Sequence, residues 1–261
     1  MKFRTYTLGV AAAALLATLS ATGANATILV DQNAANVYGD YKVGSAEWTG
    51  WLDFTNALAA QSGGYAIGSV ANATSVAAAD AILIVARSNY GPSTTLTAQE
   101  KSNLTAFLAT GGRVVIVGDA ADNLYSDWTN SVVNFASAGA ASVATYSGAA
   151  TAIAGSELTD GVGSVNLQGA GVVTGGTGTA LFNKNWATLW GDNLLTVLDV
   201  NALTRFPAPA FRDNVADWLG ASQPTAAVPE PASWAMMIAG FAVIGSGMRR
   251  QAKAKAGIRF A

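Results

Sequence analysis

The sequence predicts an α/β fold built on a central, mostly parallel sheet, and three observations carry that prediction. The apolar runs Ile28-Leu29-Val30, Ala81-Ile82-Leu83-Ile84-Val85-Ala86 and Val114-Val115-Ile116-Val117 are continuous, not alternating. Uninterrupted β-branched runs suit strands covered on both faces. Helical patterns lie between these runs. One of them opens with Thr97-Ala98-Gln99-Glu100 and stops at Gly111-Gly112, directly before the next apolar run. A capping box, a glycine stop and flanking strands make a strand–helix–strand unit.

In chain order, Ile28-Leu29-Val30 is the first strand, and 47–61 places Trp48, Trp51, Leu52, Thr55 and Leu58 at helical spacing. The run 81–86 is the second strand, and the capped helix continues through Leu104, Phe107 and Leu108. Arg113 begins the third strand. Residues 123–138 carry Leu124, Trp128, Val132, Val133 and Phe135 in a helical pattern. The Gly/Thr/Val-rich stretch 140–181 predicts short strands and loops, and 194–198 reads as a further strand. A last helix over 207–219 puts Phe211, Val215, Trp218 and Leu219 on one side. No internal repeat of fixed period is present. Residues 27–221 thus form one domain, and 222–228 (Ser-Gln-Pro-Thr-Ala-Ala-Val) has the composition of a linker.

Composition narrows the chemistry. Only 11% of the 261 residues are charged, against about a quarter in a typical soluble domain. The surface must therefore be polar through Ser, Thr, Asn and Gln. Between residues 27 and 228 there are 7 Lys and Arg against 15 Asp and Glu, a net charge of −8. An acidic body repels phosphate backbones, which argues against nucleic acid as a partner. The chain has no Cys and no His, so disulfides, thiolate nucleophiles, Ser-His-Asp triads and imidazole metal ligands are all excluded. An enzyme on this chain would have to use carboxylates, Lys, Tyr, Ser or Thr.

Both ends carry targeting patterns. Lys2 and Arg4 precede an apolar run over 8–19, and Ala24-Asn25-Ala26 supplies the small-x-small pattern of a signal peptidase site. Residues 1–26 are expected to be a signal peptide, with export machinery and signal peptidase as partners and Thr27 as the mature start. Near the other end, 232–248 holds no charged residue. At ~1.5 Å per residue this stretch reaches ~25 Å as a helix, short for a bilayer core of ~30 Å. Trp234 stands at one boundary and Arg249 and Arg250 at the other, and the basic tail 251–261 is expected to stay cytoplasmic.

The order Pro229-Glu230-Pro231, Trp234-Ala235-Met236-Met237, Gly240-Phe241, Gly245, Arg249-Arg250 resembles the PEP-CTERM sorting signal in its PEPxxWA form. The resemblance implies an exosortase in the inner membrane of a Gram-negative bacterium as partner. It also implies passage to the cell surface or extracellular matrix, and an association with exopolysaccharide and biofilm. The sorting residues it implies are Pro229, Glu230, Pro231, Trp234, Ala235, Gly240, Arg249 and Arg250. The tail beyond Arg250 is longer and less arginine-dense than the usual ending. A permanent anchor is the alternative to a removed signal.

The body resembles the class I glutamine amidotransferase-like fold, a flavodoxin-like three-layer sandwich. The residues carrying this resemblance are the strand 81–87, LTAQEKSNLTAFLATGGRVVIVGD, LLTVLDVN and FRDNVADWL. The chain departs from that family where its chemistry lies. Val117 is followed by Gly118-Asp119-Ala120-Ala121 in place of the nucleophilic Cys, and the partner His is missing from the chain. Glutamine hydrolysis is excluded.

In an open parallel sheet, ligands bind beyond the carboxyl ends of the strands. Asp31, Arg87, Asp119 and Asp199 each follow an apolar strand run and are expected to converge on one rim. Asp122 and Asn123 would join them, with Asp213 and Asn214 as further candidates. Three readings are open. Hard oxygens from Asp119, Asp122 and Asn123 would suit Ca²⁺, paired carboxylates would suit sugar hydrolysis, and strand-end acids also cap helices and turns. Trp48 and Trp51 admit either a sugar-stacking platform or core packing. Gly175-Gly176-Thr177-Gly178 lacks the following Lys of a phosphate loop. The expected body is therefore a non-catalytic binding or structural module without a resident cofactor, with a secreted carboxylate hydrolase as the alternative.

Overall fold

The computed structural model describes residues 27–32, 42–44, 49–61, 63–88, 95–204 and 208–221. The expected signal peptide, the linker, the sorting residues and the apolar stretch 232–248 lie outside them. Among the described residues no helix is long and apolar enough to cross a membrane.

Strand β1 (Ile28–Asp31) lies parallel to β2 (Tyr65–Gly68) on one side and to β3 (Ala81–Ile84) on the other. β4 (Arg113–Val117) pairs parallel with β3, and β9 (Leu194–Val197) pairs parallel with β4. Every residue of β1, β3, β4 and β9 is buried, as their uninterrupted apolar runs predict. The order β2-β1-β3-β4-β9 is the 2-1-3-4-5 winding of one kind of open doubly wound sheet. Two antiparallel strands, β8 (Ala187–Trp190) and β7 (Thr179–Ala180), extend it to seven.

The reversal at β1 fixes the faces of the helices. The chain runs out to β2 through α1 (Thr49–Ala60) and returns past β1 to β3 through α2 (Ala73–Ala77). It then continues to β4 through α3 (Ala98–Ala109). Right-handed crossovers put α1 on one face and α2 and α3 on the other. Helix α6 (Pro209–Gly220) packs on α1, and α2 packs on α3. Three layers result.

Local chemistry sets the ends of α3. The Thr97 hydroxyl accepts the Glu100 N–H at 3.2 Å, and the Glu100 carboxylate accepts the Thr97 N–H at 2.7 Å. Both arms of the capping box expected from the sequence are present. The helix stops where Gly111 turns to φ 86°, a left-handed conformation that glycine adopts without penalty. On the α6 face, Phe182, Trp186 and Phe211 meet with ring centroids 4.7–5.4 Å apart.

Several expectations are corrected. The helix expected over 47–61 is present over Thr49–Ala60, with Glu47 and Trp48 outside the described residues, and it buries Phe54, Thr55 and Leu58 while Leu52 is 46% exposed. Leu52 sits off that buried stripe. The pattern over 123–138 divides into a short 3-10 turn, Asn123–Tyr125, and α4 (Ser126–Ala136). The strand expected to Leu198 ends at Val197, and the last helix begins at Pro209, a residue suited to the first helical turn. The largest correction concerns 140–181. In place of short strands it forms a long antiparallel hairpin, β5 (Ala141–Thr151) and β6 (Ser164–Gly175), as a sheet of its own. A bulge between Tyr146 and Gly148 bends it.

Candidate functional site

The carboxyl edge of the sheet gathers Asp31, Arg87, Asp119 and Asp199, but as two separate groups. The first sits where β1 and β3 diverge. Arg87 is 2% exposed, and its guanidinium donates to both Glu100 oxygens at 2.7 and 3.3 Å. Asp31 lies 3.6 Å from the same guanidinium and accepts the Val70 N–H at 2.9 Å. The ring of Trp128 covers Arg87 at 4.6 Å, and the Trp128 indole N–H donates to the Val117 carbonyl. Burial pushes the Glu100 carboxyl up, but the Arg87 hydrogen bonds and charge, with the Thr97 N–H, outweigh it and hold the group below its ordinary value. A buried charge so enclosed is structural in character.

Asp119 and Asp199 form the second group, at the ends of the adjacent strands β4 and β9. Both are buried, 5% and 1% exposed. Burial raises the Asp119 carboxyl well above the usual carboxylate range, and the charges of Asp199 and Asp122 add to the rise. Burial lifts Asp199 to about 6, opposed by the N–H groups of Gln168 and Asn201. Asp199 Oδ1 accepts the Asn201 N–H at 2.9 Å and so caps the short helix α5 (Val200–Leu203). Its Oδ2 accepts the Gln168 N–H of β6 at 3.2 Å. Asp119 Oδ1 accepts the Ala120 N–H at 3.0 Å, and its backbone exchanges two hydrogen bonds with the Thr129 hydroxyl.

The β5–β6 hairpin lies directly over this second group. Gly171 N–H donates to the Leu198 carbonyl at 2.7 Å, and Ala121 N–H donates to the Thr145 hydroxyl at 3.1 Å. A Cβ on Gly171 would stand 2.8 Å from the Asp119 carbonyl oxygen, so only glycine allows the strand this close. A rim expected to be open is therefore covered by backbone.

The other candidates divide. Asp122 is exposed and acts on Asp119 through its charge, while Asn123 starts the 3-10 turn, its side chain being outside the described residues. Asp213 and Asn214 are not brought to this rim. Asp213 pairs with Arg212 at 2.9 Å, and the Asn214 amide donates to the Leu158 and Asp160 carbonyls. Among the described residues no group of three acidic side chains is arranged to hold a metal ion. Trp48 and the Trp51 side chain lie outside the described residues.

Three participants escaped sequence reading, the Thr129 hydroxyl beneath Asp119 among them. Glu100 was legible as a helix-capping residue but not as the partner of Arg87, a role that only the juxtaposition of β3 and α3 reveals. Gln168 contributes its backbone N–H, which no side-chain pattern announces.

No curated protein matches the chain. Its fold is similar to that of the mmIFT52 N-terminal domain, at 11% identity and a TM-score of 0.55, covering 76% of this chain and 99% of that one. It is also similar to a protein of Bacteroides uniformis ATCC 8492 described as ThuA-like. There the identity is 10% and the TM-score 0.50, covering 74% of this chain and 91% of that one. At such identities the likeness is one of fold alone. Residues 227–251 match the PEP-CTERM protein-sorting motif, which brackets Pro229-Glu230-Pro231 and Arg249-Arg250. That motif marks the chain for export, for membrane-associated processing by an exosortase in a Gram-negative cell, and for delivery to the cell surface.

Proposed function

We propose that the body is exported cargo with a binding or structural role in an extracellular polysaccharide matrix, and that it performs no catalysis. The observation that carries this reading is the covered rim. Asp31, Asp119 and Asp199 all accept hydrogen bonds from within the fold, and the β5–β6 backbone lies over the pair where an open sheet would bind a ligand. The 2-1-3-4-5 strand order supports an amidotransferase-like, flavodoxin-like scaffold, and Gly118-Asp119 where that family keeps its Cys leaves it without a nucleophile. Signal peptidase removes residues 1–26, and the exosortase cuts near Pro229-Glu230-Pro231 after 232–248 has held the protein in the inner membrane. Mass spectrometry of the mature C-terminus tests this, with an end near residue 229 expected. Surface delivery unchanged by deletion of 229–261, or a C-terminus at Ala261, would overturn it.

A second reading, a carboxylate hydrolase of polysaccharide, draws on the neighbouring buried acids Asp119 and Asp199 with their raised pKa values. Sugar release by the wild type and its loss in Asp119→Asn would establish it. No release from either protein would dismiss it. Calorimetric titration with CaCl₂ tests Asp119, Asp122 and Asn123 as cation ligands, and the covered rim leads us to expect no heat of binding.

A further inference from the structure

The backbone N–H of Thr27 donates to Asp80 Oδ2 at 2.8 Å, and the Asp80 N–H donates back to the Thr27 carbonyl at 3.1 Å. Both residues are half-buried at the amino edge of the sheet, just before β1 and β3 begin. The next N–H, that of Ile28, donates to the Gly64 carbonyl at 3.1 Å, which ties the same point to the start of β2. Thr27 is also the first residue after Ala24-Asn25-Ala26. A carboxylate therefore already holds the nitrogen that cleavage at this pattern would free.

We infer that cleavage between Ala26 and Thr27 turns this hydrogen bond into an ammonium–carboxylate pair, with Asp80 as the receptor of the mature N-terminus. The inference rests on the export reading. Hydrolysis adds one water across the peptide bond, leaving a carboxylate on Ala26 and an amine on Thr27, which takes up a proton. The neutral amide donor becomes a cation with three N–H groups at the same place, and charge-assisted bonds of this kind are about twice as strong as neutral ones. The strands on either side of β1 and β3 each begin with a titratable group. Tyr65 on β2 stands in register with Ile28, and Arg113 on β4 stands in register with Ala81. Arg113 is engaged by the Trp218 carbonyl at 2.7 Å and by Glu157 at 3.7 Å. The pair pins the first strand at its free end, where a strand otherwise frays.

An unpaired α-amine has a pKa of about 7.7–8.0, and a neighbouring carboxylate raises it. The stabilisation is then complete below that range and is lost as pH rises through the raised value.

The test uses mature protein purified from exporting cells, wild type and Asp80→Asn. Mass spectrometry locates the N-terminus, and the pH dependence of α-amine acetylation gives the amine pKa. The expected result is a start at Thr27 and an amine about one unit above the ordinary range, returning to it in Asp80→Asn. A different N-terminus would overturn the inference together with the cleavage site on which it rests. A Thr27 start with an ordinary amine would overturn the pairing alone. Should the variant not fold, the wild-type amine measured at low and at 1 M salt decides, since screening must lower a raised value.

Discussion

At the residue scale, the covered rim holds two kinds of buried charge with opposite consequences. Arg87 neutralises Glu100 and is itself enclosed by Trp128 and Asp31. Arg87→Met leaves a buried carboxylate without its partner. Chemical denaturation should show a loss of about 3–5 kcal/mol, and adding Glu100→Gln should restore part of it. Asp119 and Asp199 behave differently. Their folded pKa values lie above the 3.8 of a free side chain, so the folded state holds protons that the unfolded chain has released. Their contribution is most favourable at low pH and is lost as pH rises, for Asp199 through about 6. Asp119→Asn removes one such group and keeps an acceptor for the Ala120 N–H. Denaturation at pH 7.5 should show it more stable than wild type, with a flatter decline from pH 5 to 7.5. Equal pH profiles would show that Asp119 is ionised in the folded protein. Glu100 acts in the other direction, because its depressed value supplies stability above 4.5 that is lost in acid.

At the scale of elements, the hairpin over the rim depends on a close approach that a single methyl group would block. Gly171→Ala places a Cβ against the Asp119 carbonyl, Val143 and Thr129. A cost of about 1–3 kcal/mol is expected, with β6 amides exchanging faster than those of β4. Uniform exchange across both strands would refute the idea that β6 lifts locally. The hairpin is also where sequence reading fell short. Buried parallel strands announce themselves because both faces need apolar residues, so β1, β3 and β4 are continuous runs and the capped helix between the last two is unambiguous. β6 alternates through Val165 and Leu167, then breaks at Gly169 and Gly171 where it crosses the rim. The glycines that permit the crossing erase the pattern. β2 was hidden for a different reason. It is an edge strand with Ala66 and Ile67 exposed and only four residues long, which leaves too little periodicity to read. The strand-end acids were legible one by one. Their partners were not, because Glu100, Thr129 and Gln168 meet them only through the order of strands.

At the scale of the molecule, the topology sends both ends of the body to one edge. Thr27 is bonded to Asp80 ahead of β1 and β3, and α6 runs back so that its Trp218 carbonyl meets Arg113, the first residue of β4. Gln61 at the end of α1 reaches Asp217 beside it. The middle of the hairpin, around Thr145 and Gly171, crosses the opposite, carboxyl edge, while Glu157 in its connection returns to Arg113. The six residues 221–226 separate α6 from the matched motif, and the eleven residues 221–231 separate it from the apolar stretch 232–248, a length that spans at most about 40 Å. If 232–248 anchors the body, the amino edge is expected to face the membrane and the Thr145–Gly171 crossing to face away from it. The absence of Cys makes this measurable, since one introduced thiol is the only site for a maleimide. Ala144 is exposed on the hairpin and Asp192 is exposed at the β8–β9 turn on the amino edge. In cells lacking the exosortase, a bulky maleimide should label Ala144→Cys several-fold faster than Asp192→Cys, and the two rates should converge in released protein. Equal rates in the attached state would mean that the body tumbles freely on its linker. Neither edge of the sheet would then be held toward the membrane.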